Sequence, residues 1–337
     1  MKKEEYLSVR VCVIILNWNG LLHTQRCLAA LAEQTYSDRE VFVIDNGSTD
    51  GSADALAAIQ PSWWRLLRLS ANRGFAGGMN AGIRIALASK MEYVWLLNND
   101  AFPEPNCLAR LVRLMDAELR VAMTTPRLIG SDGAEQHAGA YFHWENGENN
   151  THLSANLPNP ACDGTWLTGT AILVRTGALA RVGLFDPHYF AYWEDVDLSV
   201  RLVRAGYDLR AVPEASCLHL GSFSSGGSGS PLSNYLMARN AFRFLRKHCP
   251  KRYLIGAWIH TINNWLTHAG VSVVKRRQAG AEGILRGLHA GMLGETGSPK
   301  RLHSPVPGER LILSHPWRLC RLLGAIGRRM EMSPSQT

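Results

Sequence analysis

The sequence predicts an α/β fold with a doubly wound, mostly parallel sheet and a helical, basic appendage, and three observations carry that prediction. Apolar, β-branched runs without polar alternation recur in the first hundred residues, as strands buried on both faces require. Each run is followed by residues at helical spacing, the rhythm of a parallel sheet. The charge is also divided. Of a formal net +8, residues 236–337 hold 17 Lys/Arg against 4 Asp/Glu, which leaves the first 235 residues at about −5.

In chain order, Val9 to Leu16 reads as a buried strand and Leu21 to Gln34 as a helix. Val41 to Ile44 is a second strand that stops at Asp45-Asn46-Gly47-Ser48, and Thr49 to Ile59 is a helix opening in Asp and Ser. A strand over Arg65 to Leu69 runs into Asn72-Arg73-Gly74-Phe75, with a helix from Ala76 to Ser89. Tyr93 to Leu97 is a fourth strand, ending at Asn98-Asn99-Asp100. Residues 120–165 are irregular apart from a strand-like Val121 to Thr125. Thr165 to Val174 and Ala215 to Leu218 are again strand-like, and Glu194 to Ala205 is a helix. Ser222 to Ser230 is Gly/Ser-rich, a flexible linker or lid. The expected division is a body over 1–235 and a tail over 236–337.

Composition bounds the function. With 46% apolar and 19% charged residues the chain is not disordered. Its seven cysteines are scattered without a C-x-x-C pair, which argues against a zinc site or disulfide framework and for a reducing compartment. The opening residues read as neither signal peptide nor membrane span, and no apolar run reaches about 18 residues, so a cytoplasmic location is expected.

Open parallel sheets bind ligands beyond the carboxyl ends of their strands. Here those ends carry Asn17, Asp45, Asn72 and Asp100, a polar rim on apolar stalks. The stretch Asp45 to Ser52 suits a nucleobase or ribose, and equally an ordinary capped turn. The glycines from Gly74 to Gly82, with Arg73 and Asn80, suit a diphosphate at a helix N-terminus, or simply close helix–strand packing. They match neither the dinucleotide fingerprint nor the phosphate-loop pattern. Asp100 can share a hard divalent cation with a substrate diphosphate, or cap a turn. Glu194-Asp195-Val196-Asp197 places three carboxylates in one helical turn behind Tyr189 to Trp193. Such crowding suits a general base and also an acidic first turn. His219 is a metal ligand or a strand-end histidine.

Taken in order, these motifs resemble the inverting family 2 glycosyltransferases of the GT-A fold, in particular their rhamnosyltransferase-like branch, from about Val9 to Asn240. The resemblance implies a catalytic domain over 1–235 that moves a sugar from a dTDP- or UDP-linked donor to a glycan or lipid-linked acceptor of cell-surface polysaccharide synthesis. It implies that Ile15-Leu16-Asn17-Trp18-Asn19 opens the nucleotide pocket and that Asp45 contacts the base, with Asn46, Ser48, Asn72, Arg73, Gly74 and Asn80 around the donor. Asn98-Asn99-Asp100 matches the family's D-x-D, with Asn98 in place of the first Asp, so Asp100 is the firmer ligand for Mg²⁺ or Mn²⁺ and His219 completes the site. Asp195, beside Glu194, matches the catalytic base. Trp166, Thr168, Gly169 and Trp193 fall on the acceptor side, and Arg239-Asn240 resembles a late Arg-Asn pair.

The tail interleaves Arg243, Arg246, Lys247, Lys251, Arg252, Lys275, Arg276, Arg277, Arg318, Arg321, Arg328 and Arg329 with Trp258, Trp265 and Trp317. That pattern suits peripheral attachment to an anionic membrane, on the cytoplasmic face of the inner membrane, or else a homodimer interface. No nucleic-acid module is visible. Two other functions compete: a sugar-phosphate nucleotidylyltransferase, which needs a Gly-rich basic loop where Asn17-Trp18-Asn19-Gly20 stands, and a non-catalytic nucleotide-sugar-binding scaffold.

Overall fold

The computed structural model describes residues 10–157, 159–221 and 229–314. Most of the Gly/Ser-rich stretch, and Trp317, Arg318, Arg321, Arg328 and Arg329 of the tail, lie outside the described residues. The chain forms two compact units, Met1–His143 with Asn149–Ser224, and Trp144–Glu148 with Ser225–Thr337.

The first unit runs β1 (Val11–Asn17), α1 (Leu21–Ala32), β2 (Arg39–Asp45), α2 (Ser52–Ile59), β3 (Trp64–Arg68), α3 (Gly74–Ala88) and β4 (Tyr93–Asn98). It continues with β5 (Ala101–Pro103), α4 (Cys107–Ala117), β6 (Val121–Ile129), β7 (Gly139–Phe142), β8 (Asn149–His152), β9 (Thr165–Leu167), β10 (Ala171–Arg175), α5 (Thr176–Val182), α6 (Glu194–Arg204) and β11 (Asp208–His219). Eight strands form one sheet in the order β3-β2-β1-β4-β10-β6-β11-β5. Only β10 and β5 run antiparallel to their neighbours. A second sheet, β8-β7-β9, is antiparallel.

Side chains alternate across a strand, so one buried strand feeds two cores. Val11, Val13 and Ile15 of β1 join Trp95, Leu97 and Leu173 under α1 and α4. Cys12 and Ile14 join Val94, Leu96 and Ile172 under α3, α5 and α6. Each such aliphatic side chain contributes about 1.5–3 kcal/mol on burial. That gain offsets the cost of burying the polar groups at the strand ends. One expectation is corrected: Thr165 to Val174 is not one strand but two, β9 and β10, in different sheets. The chain breaks at Gly169, where the acidic turn of α6 docks.

In the second unit, α7 (Pro231–His248), α8 (Leu254–Val274), α9 (Gln278–Met292) and α10 (Glu309–Ser314) surround a core of Ala238, Phe242, Ile284, Leu285 and Leu288. The expected boundary at residue 235 falls inside α7. Helices α7 and α9 meet backbone to backbone, because a Cβ at Gly283 or Gly287 would fall 2.4 Å and 2.3 Å from the carbonyls of Pro231 and Tyr235. Trp258 packs edge-on to Phe242, 5.3 Å between ring centroids, beneath the Arg246 guanidinium, and Trp265 also packs against this core. These tryptophans are partly buried against this core, and the exposed large apolar residues of α8 are Ile255, Val271 and Val274. Arg239 is fully buried, donating to Asn240 Oδ1 at 3.0 Å with Glu295 3.9 Å away, so the late Arg-Asn pair is part of this unit's interior.

Candidate active site

The carboxyl ends of β1 and β2 lie in register, Asn17 beside Asp45. Asn17 is fully buried, and both ends of its amide are engaged. Its Nδ2 donates to Asp45 Oδ1 at 2.8 Å and lies within reach of Ser48 and Ser52 Oγ, while its Oδ1 accepts from Thr24. Asp45 also accepts from the hydroxyl of Ser48 (2.6 Å) and from its N–H (3.1 Å). Asn19, with φ at 49°, accepts from Thr49 N and donates its own N–H to Ser48 Oγ. Asn17 is thus the hub that shapes this floor, and Asp45, Ser48 and Asn19 form its upper layer.

At the start of α3 the structure revises the expected diphosphate cradle. The N–H of Arg73 donates to Asn46 Oδ1, that of Gly74 to Asn72 Oδ1, and that of Ala76 to Phe190 O. Asn46 Nδ2 reaches Asn72 Oδ1 and Gly74 O. These three amides serve the fold, and the Arg73 side chain beside them is exposed. Gly74 is required here on two grounds: its φ is +71°, and a Cβ would fall 2.3 Å from Phe190 O. Gly78 and Gly82 let α3 sit on β1, against Leu16 and Ile14. Asn80 lies away from the rim, with Nδ2 donating to Phe185 O (2.8 Å) and Oδ1 accepting from Phe185 N (3.1 Å).

Beyond β4, Asn99 is tied to the entrance of α1 through Gly20 O and Thr24 Oγ1. Asn98 donates its N–H to Thr170 O, and its Oδ1 is buried without a partner among the described residues. Asp100 is 4% exposed, and its Oδ1 stands 3.6 Å from His219 Nε2, too far for a hydrogen bond. His219 Nδ1 lies 2.8 Å from Gln136 Oε1, and Nε2 has no hydrogen-bond partner among the described residues. Burial lowers the His219 pKa against the pull of Asp100, so the ring is neutral and its bare nitrogen is able to bind a metal. Among the described residues no three His, Cys, Asp or Glu side chains gather as a metal cluster. The pair of Asp100 and His219 is what sheet pairing of β5 with β11 brings together, His219 opposite Ala101.

The acidic turn sorts into three environments. Asp197 is fully buried and structural: it accepts from Arg201 Nε at 2.8 Å, and Arg201 in turn holds the carbonyls of Val182, Gly183 and Leu184. Glu194 is 6% exposed and its Oε2 has no hydrogen-bond partner among the described residues. Burial, reinforced by Asp195, drives its pKa well above the carboxylate range. Burial also raises Asp195, but the N–H groups of Gly169 and Val196, each at 2.8 Å, stabilise its charge. Asp195 is therefore the member of the pair that ionises first, a division suited to acid–base work. The loop before it is strained, with Phe190, Tyr192 and Trp193 at φ of 68°, 68° and 75°. Non-glycine residues held there cost on the order of 1–3 kcal/mol each, and such strain concentrates at functional sites.

Of the acceptor-side residues, Trp166 is 7% exposed and donates to Asn149, and Trp193 lies edge-on to Phe142. Thr168 Oγ1 contacts His137 Nδ1 at 3.1 Å. Gln136 and His137 were not foreseen from the sequence. His137 is exposed and bears electrostatically on both Asp195 and His219, and so joins the acidic turn to the metal-capable pair. A lone Gln-His dipeptide in an irregular stretch carries no spacing signal. A cavity of about 640 Å³ lined by Phe102, Arg127, Glu135 and Leu218 holds none of the expected site residues.

The chain is similar to known proteins in sequence and in fold. Residues 12–188 match the model of glycosyl transferase family 2. The chain is 30% identical over 239 residues to an N-acetylglucosaminyl-diphospho-decaprenol L-rhamnosyltransferase of Mycobacterium tuberculosis, covering 64% of this chain and 77% of that protein. It is 24% identical over 267 residues to the dTDP-rhamnosyl transferase RfbF of Shigella flexneri, covering 76% and 88%. Among solved structures, the mannosyltransferase PcManGT from Pyrobaculum calidifontis, in complex with GDP-Man and Mn²⁺, matches 96% of this chain and 88% of its own with a TM-score of 0.52 at 17% identity, a likeness of fold. The family match ends before Glu194, so the assignment of the acidic turn rests on its geometry. With more than half of its length in that match and a GT-A sheet beneath it, the chain belongs to glycosyltransferase family 2 and is a glycosyltransferase.

Proposed function

We propose that the enzyme transfers a sugar, with inversion, from a nucleotide-diphosphate donor to a hydroxyl of a lipid-linked or cell-surface glycan. Rhamnose on dTDP is the first donor to try, on the strength of the relatives named above, with UDP-sugars next. The observation that carries the reading is Asp195: a carboxylate raised in pKa by burial, aimed by two backbone N–H groups and flanked by Glu194. In this mechanism Asp195 takes the proton of the acceptor hydroxyl as that oxygen bonds to the anomeric carbon, and the bond from that carbon to the diphosphate oxygen breaks. Asp45, Ser48 and Asn19 hold the nucleoside, Arg73 faces the diphosphate, and Trp193, Thr168 and Gly169 border the acceptor.

The residues present fit a divalent cation. His219 Nε2 is a buried nitrogen that faces Asp100 and has no hydrogen-bond partner among the described residues, and a carboxylate with diphosphate oxygens completes a set that Mg²⁺ or Mn²⁺ accepts. When bound, the ion supplies positive charge against the departing diphosphate. Asp195→Ala and Asp100→Ala should each suppress Mn²⁺-dependent release of nucleoside diphosphate, with Asp195→Ala still binding donor. Near-normal turnover by Asp195→Ala would remove the base assignment.

For the second unit we propose attachment to anionic membrane, supported by the exposed Ile255, Val271 and Val274 of α8 and by the exposed Lys275-Arg276-Arg277 that follows. No helix among the described residues is long and apolar enough to cross a membrane. Full-length protein should float with vesicles containing phosphatidylglycerol and lose flotation when these three cations become Gln. Equal flotation of both proteins would contradict this.

A further inference from the structure

We propose that Gln136 is a positioning residue whose side chain holds His219 in the tautomer that presents Nε2 to a divalent cation; this rests on the metal-assisted reading above. The carbonyl oxygen of His219 only accepts, and Gln136 Nε2 donates to it at 3.2 Å. That bond dictates the orientation of the amide, since the reversed amide would set two acceptors against each other. Gln136 Oε1 is then the atom 2.8 Å from His219 Nδ1, and an amide oxygen cannot donate. The proton must sit on Nδ1. The lone pair of Nε2 is buried, faces Asp100 at 3.6 Å and has no hydrogen-bond partner among the described residues.

Gln136 itself is anchored. Its N–H donates to Leu128 O on β6, and Ile129 bridges Glu135 beside it. Strand β6 pairs with β11, the strand that ends in His219, so clamp and histidine rest on adjacent strands of one sheet. Without the clamp, the competing tautomer places a proton on Nε2, which Asp100 can accept once the two side chains draw together from 3.6 Å to hydrogen-bond distance. A hydrogen bond of that kind closes the pair to a cation. Partners that orient a metal-binding histidine in this way are worth about 10- to 100-fold in metal affinity.

The test measures Mn²⁺ binding, with Mn²⁺ alone and with a nucleoside diphosphate added, from the electron paramagnetic resonance of the free ion for wild type, Gln136→Leu and Gln136→Glu. Long-range ¹H–¹⁵N spectra of the metal-free proteins read the tautomer, with His219→Gln assigning the ring. Wild type should show the proton on Nδ1. Gln136→Leu should bind Mn²⁺ about 10- to 100-fold more weakly and show the proton on Nε2. Gln136→Glu keeps an acceptor for Nδ1 and should recover both the tautomer and most of the affinity, which separates positioning from a folding defect. Wild-type affinity in Gln136→Leu, or Nε2–H in the metal-free wild type, would overturn the clamp alone. Failure of wild type to bind Mn²⁺ both alone and with a nucleoside diphosphate added would overturn both the clamp and the metal-assisted reading.

Discussion

Replacing Gly169 by Ala probes the proposed base, Asp195, without replacing its carboxylate. A Cβ at this position would stand 3.0 Å from Asp195 Cβ, 3.1 Å from Oδ2 and 3.4 Å from Cγ. Asp195 opens α6 and is pinned on its other oxygen by Val196 N, so it has little room to give way. The N–H···Oδ2 bond of 2.8 Å would lengthen or break. A hydrogen bond to a charged group is worth about 1.5–3 kcal/mol, which predicts a loss of about 10- to 150-fold in kcat/KM if the bond also positions the base. The pH dependence carries the sign. The Gly169 N–H stabilises the ionised carboxylate, so losing it raises the Asp195 pKa further. A base must be ionised to act, so the acidic limb of the kcat/KM profile moves to higher pH, and the deficit shrinks in alkaline buffer. The assay is release of nucleoside diphosphate across a pH series, repeated in an Asp195→Asn background, where Gly169→Ala should add almost nothing because the two act as one unit. Unchanged turnover with an unmoved acidic limb would refute this account of the base.

Two further outcomes concern stability. The folded-state pKa of Glu194 lies above its unfolded value, so its contribution is full below the unfolded pKa and is lost as pH rises through the folded one. Glu194→Gln should therefore raise Tm in neutral and alkaline buffer, by about 2–4 °C for each ~1 kcal/mol recovered, and converge on wild type near pH ~4. Parallel melting curves at every pH would contradict the burial assignment. Asn80→Ala would strand the buried N–H and C=O of Phe185, costing roughly 1–3 kcal/mol for each group. Urea unfolding should show that loss while donor affinity stays unchanged, and the reverse pattern would return Asn80 to the nucleotide site.

Much of the first unit was legible because its signals are local. Buried strands such as Val11–Asn17 and Tyr93–Asn98 are continuous apolar runs, and their ends are marked by Asn, Asp and Gly. The same locality made the acidic turn and the Asn98-Asn99-Asp100 corner visible, and their order identified the family. Neighbours in space but not in sequence were invisible. Among the three acids of the turn, the pairing of Asp197 with Arg201 four residues on is local, but nothing local says that Asp195 answers to Gly169, 26 residues away. The glycines of α3 read either as a diphosphate cradle or as close helix–strand packing, and local sequence could not choose because their partners, Phe190, Leu16 and Ile14, come from other elements.

By itself, then, the sequence determined the sheet, its polar rim and the identity of the acids, since strand burial and turn chemistry are properties of short segments. Which groups became hubs, and which kept a free lone pair, was decided only by tertiary structure. Asn17 and Asn80 close on protein partners, while His219 and Glu194 retain buried atoms without hydrogen-bond partners among the described residues. The physical reason is that hydrogen-bond satisfaction and desolvation are set by every element that packs around a group. For His219 those elements are the corner after β4 that carries Asp100, the strand β11 that ends in it, and the turn that delivers Gln136.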